Sequence, residues 1–214
     1  WDNPDITIPN KSSFRDLGAH LNLNNNNNGS TLTNRMDAAI AMTHRLNWLG
    51  ISQNTKSKII QSNILPAGLY GVEATFVNKS KCDELRSAIV NVIGPKGSKR
   101  SVDMSYNLAD TNKDLDPDAY VLVARILQLR RDMSKHSSHF GLIKTIFKKM
   151  QMHNEQLGNR TTIGLEDVTK WKKQDQLQPN HHNVIEGPIT LLVQNLEKYG
   201  YQLDDNFTIS KKGE

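Results

Sequence analysis

"STLTNRMDAAIAMTHRLNWLG", residues 30–50, sets the fold class. Leu32, Met36, Ala39, Ile40, Thr43 and Leu46 recur at spacings of three and four. That spacing lines them along one face of a helix, with Ser30 or Thr31 able to cap its start and Gly50 ending the pattern. A second helix is expected from Asn54 or Thr55, carrying Ile59, Ile60 and Ile64. It meets Pro66, where the missing backbone donor forces a kink or a restart. Leu69, Tyr70 and Val72 continue an apolar path past Gly68 and Gly71. A third helix is expected over Ser80 to Ile93, with Cys82, Leu85, Ala88, Ile89 and Val92 on one face and Gly94-Pro95 stopping it. Three apolar stripes on short connections predict a small helical bundle over 30–95.

Upstream of the bundle, residues 1–13 read as a polar extended lead-in with Pro4 and Pro9. Phe14 to Leu23 reads as one short strand with Phe14, Leu17 and Leu21 as its apolar members, and Gly18 marks a bend or a close backbone approach. Asn24 to Asn28 and Gly29 read as a flexible loop, because an asparagine tract has nothing to bury.

Downstream, "GPKGSKRS" at 94–101 is a Gly/Lys/Arg loop too short for the phosphate-cradling spacing. "DLDPDAY" at 114–120 opens a helix, with Asp116 as cap and Pro117 at its first position. Val121, Ala124 and Leu127 or Leu129 are expected inward on it, and Arg125, Arg130 and Arg131 outward. Phe140 to Met152 predicts another helix, His153 to Asn183 a polar linker with a helix near Asp167 to Gln176, and 187–200 a short amphipathic helix. "YQLDDNFTIS" reads as the start of a strand pair cut off by the chain's end. The expected divisions are 1–29, 30–95, 96–152, 153–186 and 187–214.

The 214 residues are polar on balance, 36% hydrophobic with a mean hydropathy of −0.59. The net charge of +5 lies in the first hundred residues, which hold twelve Lys/Arg against seven Asp/Glu; fifteen of each follow. A basic half suits a polyanionic partner, since phosphate binding by clustered Lys and Arg releases counterions. Cys82 is the only cysteine, so no disulfide forms within the chain and no cysteine-based zinc site is possible; an intracellular location is the expectation. No apolar run is long enough to predict a membrane span. The chain begins at Trp1 and is expected to be a piece of a longer protein.

Catalytic patterns find little support. His136-x-x-His139 and His181-His182 lack the carboxylate or cysteine set that would complete a metal site, and no Gly-x-Ser-x-Gly elbow occurs. Tyr201-Gln202-Leu203-Asp204-Asp205 misses the Tyr-x-Asp-Asp spacing of polymerase hairpins by one residue, which on a strand turns the aspartates away from the tyrosine's face; it reads as a surface turn.

Two motifs carry a resemblance. "FRDLGAHLN", then "TLTNRMDAAIAMTHRLNWLG", then "KSKIIQSNILPAGLYGVEA" resembles the end of the palm and the thumb of reverse transcriptases from non-LTR retroelements. Phe14, Leu17 and Gly18 match that family's primer-grip strand, with Arg15 in place of its usual lysine. Leu65, Pro66, Leu69, Tyr70, Gly71 and Glu73 match its second signature, and the likeness covers about residues 11–95.

The resemblance implies a mainly α fold: a short β-strand remnant of the palm, a three-helix thumb bundle and a helical C-terminal extension. It implies a parent RNA-directed DNA polymerase using two magnesium ions, with no cofactor expected in these residues. The implied partners are an RNA template and a DNA primer in a hybrid duplex, together with upstream palm and fingers; no membrane is implied. The implied location is the nucleus or a cytoplasmic ribonucleoprotein. The family's metal-binding carboxylates precede the grip, and Asp2 and Asp5 stand in no such context, so this piece is not expected to polymerise. Candidate duplex contacts are Arg15, Gly18 and His20 on the grip, Arg35 and Arg45 on the first helix, Lys56 and Lys58 on the second, and Lys96, Lys99 and Arg100 beyond the third. Tyr70 is expected to be packed rather than to stack on a base. The alternative is a non-catalytic helical module that binds nucleic acid or protein and derives from such an element.

Overall fold

The computed structural model describes residues 13–16, 19–22, 30–94, 100–108, 115–135, 137–158 and 188–213. Its described residues are mainly helical, with two two-stranded antiparallel sheets. The chain divides into two compact units at Arg125–Ile126.

The first unit begins with β1 (Ser13–Asp16) and β2 (Ala19–Asn22), antiparallel with Phe14 opposite Leu21 and Arg15 opposite His20. The single strand expected from Phe14 to Leu23 is therefore a hairpin. Pairing in two short strands satisfies backbone groups that a lone strand leaves open. The asparagine tract and the lead-in lie outside the described residues.

β2 packs beside α1 (Ser30–Trp48), whose Leu32, Met36, Ala39, Ile40, Thr43 and Leu46 are all buried, as the spacing predicts. α2 (Gln53–Ile59) starts on a Ser52 cap whose Oγ accepts from the Thr55 amide. It passes through a π turn, Ile60–Ile64, and re-enters α geometry as α3 (Leu65–Gly68). The Leu65 amide reaches back five residues to the Ile60 carbonyl. The wider turn sits just ahead of Pro66, so the helix absorbs a residue that lacks a donor and crowds the preceding turn.

α4 (Lys79–Ile93) starts on an Asn78 cap and buries Cys82, Leu85, Ala88, Ile89 and Val92, the stripe read from the sequence. It packs on α1, α2 and α5 (Val102–Leu108), and Lys81 Nζ reaches Asp37 Oδ1 on α1 at 2.8 Å. Leu115 and Val121 join the same core. Asp116 caps α6 (Pro117–Lys135) as expected, accepting from the Asp118 amide at 3.0 Å. α5 and the start of α6 are thus tied to α4 through apolar packing and charge.

The second unit holds the rest of α6, α7 (Ser137–Gly158), α8 (Pro188–Lys198), and the hairpin β3 (Tyr201–Leu203) and β4 (Ile209–Lys211). α7 runs past the expected end at Met152. The strand pair is completed within the chain, where Tyr201 faces Lys211. Its turn hangs on Asp204, whose Oδ1 accepts from the Asn206 and Thr208 amides at 2.9 and 2.7 Å. Asp204 and Asp205 are exposed there, consistent with a surface turn. Phe207, at a positive φ of 58°, aims its ring at Phe147, 5.4 Å between centroids. An apolar cavity of about 430 Å³ lies among Leu129, Met133, Leu192, Leu203 and Phe207. No described helix is long and apolar enough to cross a membrane. The expected linker helix near 167–176 lies outside the described residues.

Candidate nucleic-acid interface

The second signature of the resemblance forms the joint of the first unit. Leu65, Leu69 and Val72 are fully buried in the core. Gly68 faces α1 so closely that a Cβ there would stand 2.5 Å from the Ala39 Cβ. Gly71 takes a φ of 90°, which side chains rarely adopt, and lets the chain turn out of α3. That turn leaves carbonyls without helical partners, and cations supply them. Arg35 donates through Nη1 to the Tyr70 carbonyl at 3.0 Å, and its guanidinium lies 5.0 Å from the centre of the Tyr70 ring. Arg125 donates through Nε to the Val72 carbonyl and through Nη2 to the Thr75 carbonyl, both at 3.1 Å.

The arrangement corrects the outward reading of Arg125, which is only 5% exposed. It stands four residues after Val121 and eight after Pro117, both buried, so the period itself pointed inward. Burial lowers its guanidinium to about 10, with the charge of Glu73 working the other way; it stays cationic at neutral pH. Leu127, expected as an inward alternative to Leu129, is half-exposed.

The candidate contacts separate into two groups. Arg35 and Lys56 are engaged inside the protein; Lys56 Nζ donates to the Asn47 carbonyl at 2.9 Å, near the end of α1. Arg100 donates to Asn91 Oδ1. Arg45 and Lys58 are exposed. Arg15 and His20 are register partners across the hairpin. Gly18, Lys96 and Lys99 lie outside the described residues, as do His136, His181 and His182. Tyr70, expected to be packed, is half-exposed beneath Arg35.

A cluster that the sequence reading missed surrounds Arg86. Its Nε and Nη2 grip Asp116 at 2.8 and 2.9 Å, Nη2 also reaches Asp103 at 2.7 Å, and its guanidinium lies 5.5 Å from the Tyr106 ring centre. Burial disfavours the Arg86 charge, yet the bonds to Asp116 and Asp103 hold its pKa above the ordinary value. Burial, then the Asp118 charge, raises the Cys82 thiol, which donates to Asp118 Oδ1 at 3.4 Å. Burial, then the Asp116 charge, raises Tyr106. These protonated, interlocked groups pin α4, α5 and α6 together and serve architecture. The signal available in the sequence was the pair Asp116 and Asp118, which needs a cation once Leu115 and Pro117 are inside.

Among the described residues no three His, Cys, Asp or Glu are grouped to hold a metal ion. Comparisons of the chain with protein-family models, with curated proteins and with solved structures found no match.

Proposed function

We propose that this chain is the primer-grip and thumb part of a non-LTR retroelement reverse transcriptase and that it holds an RNA–DNA duplex by its phosphate backbone. The observation that carries the reading is charge placement on the helical bundle. Between Asp37 and Glu73 the sequence has no acidic residue, while Arg45 and Lys58 stand exposed on α1 and α2. A surface of this kind attracts a polyanion through phosphates and needs no base-edge readout. A strand pair that precedes α1 in the chain agrees with the order of motifs in the resemblance. The reading assigns grip, not nucleotide addition, to these residues.

The test is the affinity for an RNA–DNA hybrid across a salt series, comparing the parent chain with Arg45→Ala/Lys58→Ala. Binding that weakens steeply with salt, with the slope shallower by about one per cation removed, supports the reading. Absence of binding at low salt by folded protein overturns it.

A further inference from the structure

The end of α1 carries a feature that phosphate binding leaves unused. Trp48 is 88% exposed, with Leu49 and Ile51 partly exposed beside it. On a helix the residues three and four positions earlier share its face, and these are Arg45 and His44, both exposed. An indole left in water forgoes a large burial, and a cluster of exposed apolar groups marks a contact surface. No acidic residue lies between Asp37 and Glu73 in the sequence, so the chain on either side of Trp48 offers cations and no anion. An aromatic ring beside a cation suits a nucleotide: the ring stacks on a base while the cation meets its phosphate.

We propose that Trp48 is a stacking platform for an unpaired base in a single-stranded segment adjoining the bound duplex, with Arg45 on the neighbouring phosphate. This rests on the duplex-binding reading above. Bases within a helix offer no free face, so the occupant is an unpaired nucleotide.

The probe is a labelled RNA–DNA hybrid carrying a single-stranded RNA extension, compared with the same hybrid whose extension is abasic. The parent chain is expected to prefer the probe with bases by about tenfold. Trp48→Ala should abolish that preference without changing the salt slope, and Trp48→Phe should keep part of it. Arg45→Ala should keep the preference while the slope falls by about one. With Trp1→Phe and Trp171→Phe in place, the remaining indole fluorescence should be quenched only by the probe with bases. Since Trp48 lies outside the core, the circular dichroism and melting of Trp48→Ala should match the parent. Steep salt-dependent binding with equal affinity for both probes overturns stacking alone. A preference that survives Trp48→Ala also overturns it, as does a variant whose only change is weaker self-association. No binding of either probe by the parent removes the duplex-binding reading and this inference with it.

Discussion

Arg125 and Thr75 meet through a hydrogen bond of 3.1 Å from the guanidinium Nη2 to the backbone carbonyl, and both residues are buried. The same guanidinium satisfies Val72, so one side chain from α6 closes the turn that follows α3. Arg125→Met is expected to cost about 2–4 kcal/mol, because it strands buried acceptors that water does not reach. Arg125→Lys should recover part of this, since an ammonium cannot present the planar fork to two carbonyls. Urea midpoints of the three proteins measure both effects; equal midpoints for parent and Met variant would show the bonds to be dispensable.

The aspartates around Arg86 are unequal. Asp116 is mostly buried and takes two short bonds, whereas the Asp103 side chain is 77% exposed. Asp116→Asn should cost roughly 2 kcal/mol and Asp103→Asn under about 0.5 kcal/mol, as solvent screens the outer pair. Thermal unfolding of the two variants should rank in that order.

Stability should fall at alkaline pH through Cys82 and Tyr106. Both are held protonated in the fold above their ordinary values and ionise when unfolded near roughly pH 8.5 and 10. The native state then binds more protons, so this contribution is complete below the unfolded values and is lost as pH rises through and above them. The limiting slope is about 1.4 kcal/mol per pH unit for each group. Arg125, lowered to about 10, works in the opposite sense only above that pH. Denaturant midpoints between pH 8 and 10 test the sign, and Cys82→Ala should flatten the first part of the curve. Folded protein should resist thiol-reactive dye at pH 8, with the label appearing on unfolding.

Gly68→Ala should destabilise by roughly 1–3 kcal/mol, since its Cβ would meet that of Ala39 at 2.5 Å. Gly68→Ala/Ala39→Gly should regain part of the loss by removing the opposing methyl, at about 1 kcal/mol for glycine inside α1. A double variant no more stable than Gly68→Ala would place the strain elsewhere.

By itself the sequence determined the buried faces of α1 and α4 and the start of α6, whereas α5 was not read from it and the inward face of α6 was misread at Arg125. The stripes from Leu32 to Leu46 and from Cys82 to Val92 are local periodicities, and the cap at Asp116 acts within a turn, so both are legible in one dimension. The hairpin was less legible because its pairing depends on a register between two short segments. Tertiary structure alone decided what the cations do. Arg35, Lys56 and Arg125 resemble Arg45 and Lys58 in the sequence, yet the first three meet carbonyls at helix ends while the other two face solvent. Which donor finds an orphan carbonyl depends on how the helix ends come together, and that is set by packing among residues far apart in the chain.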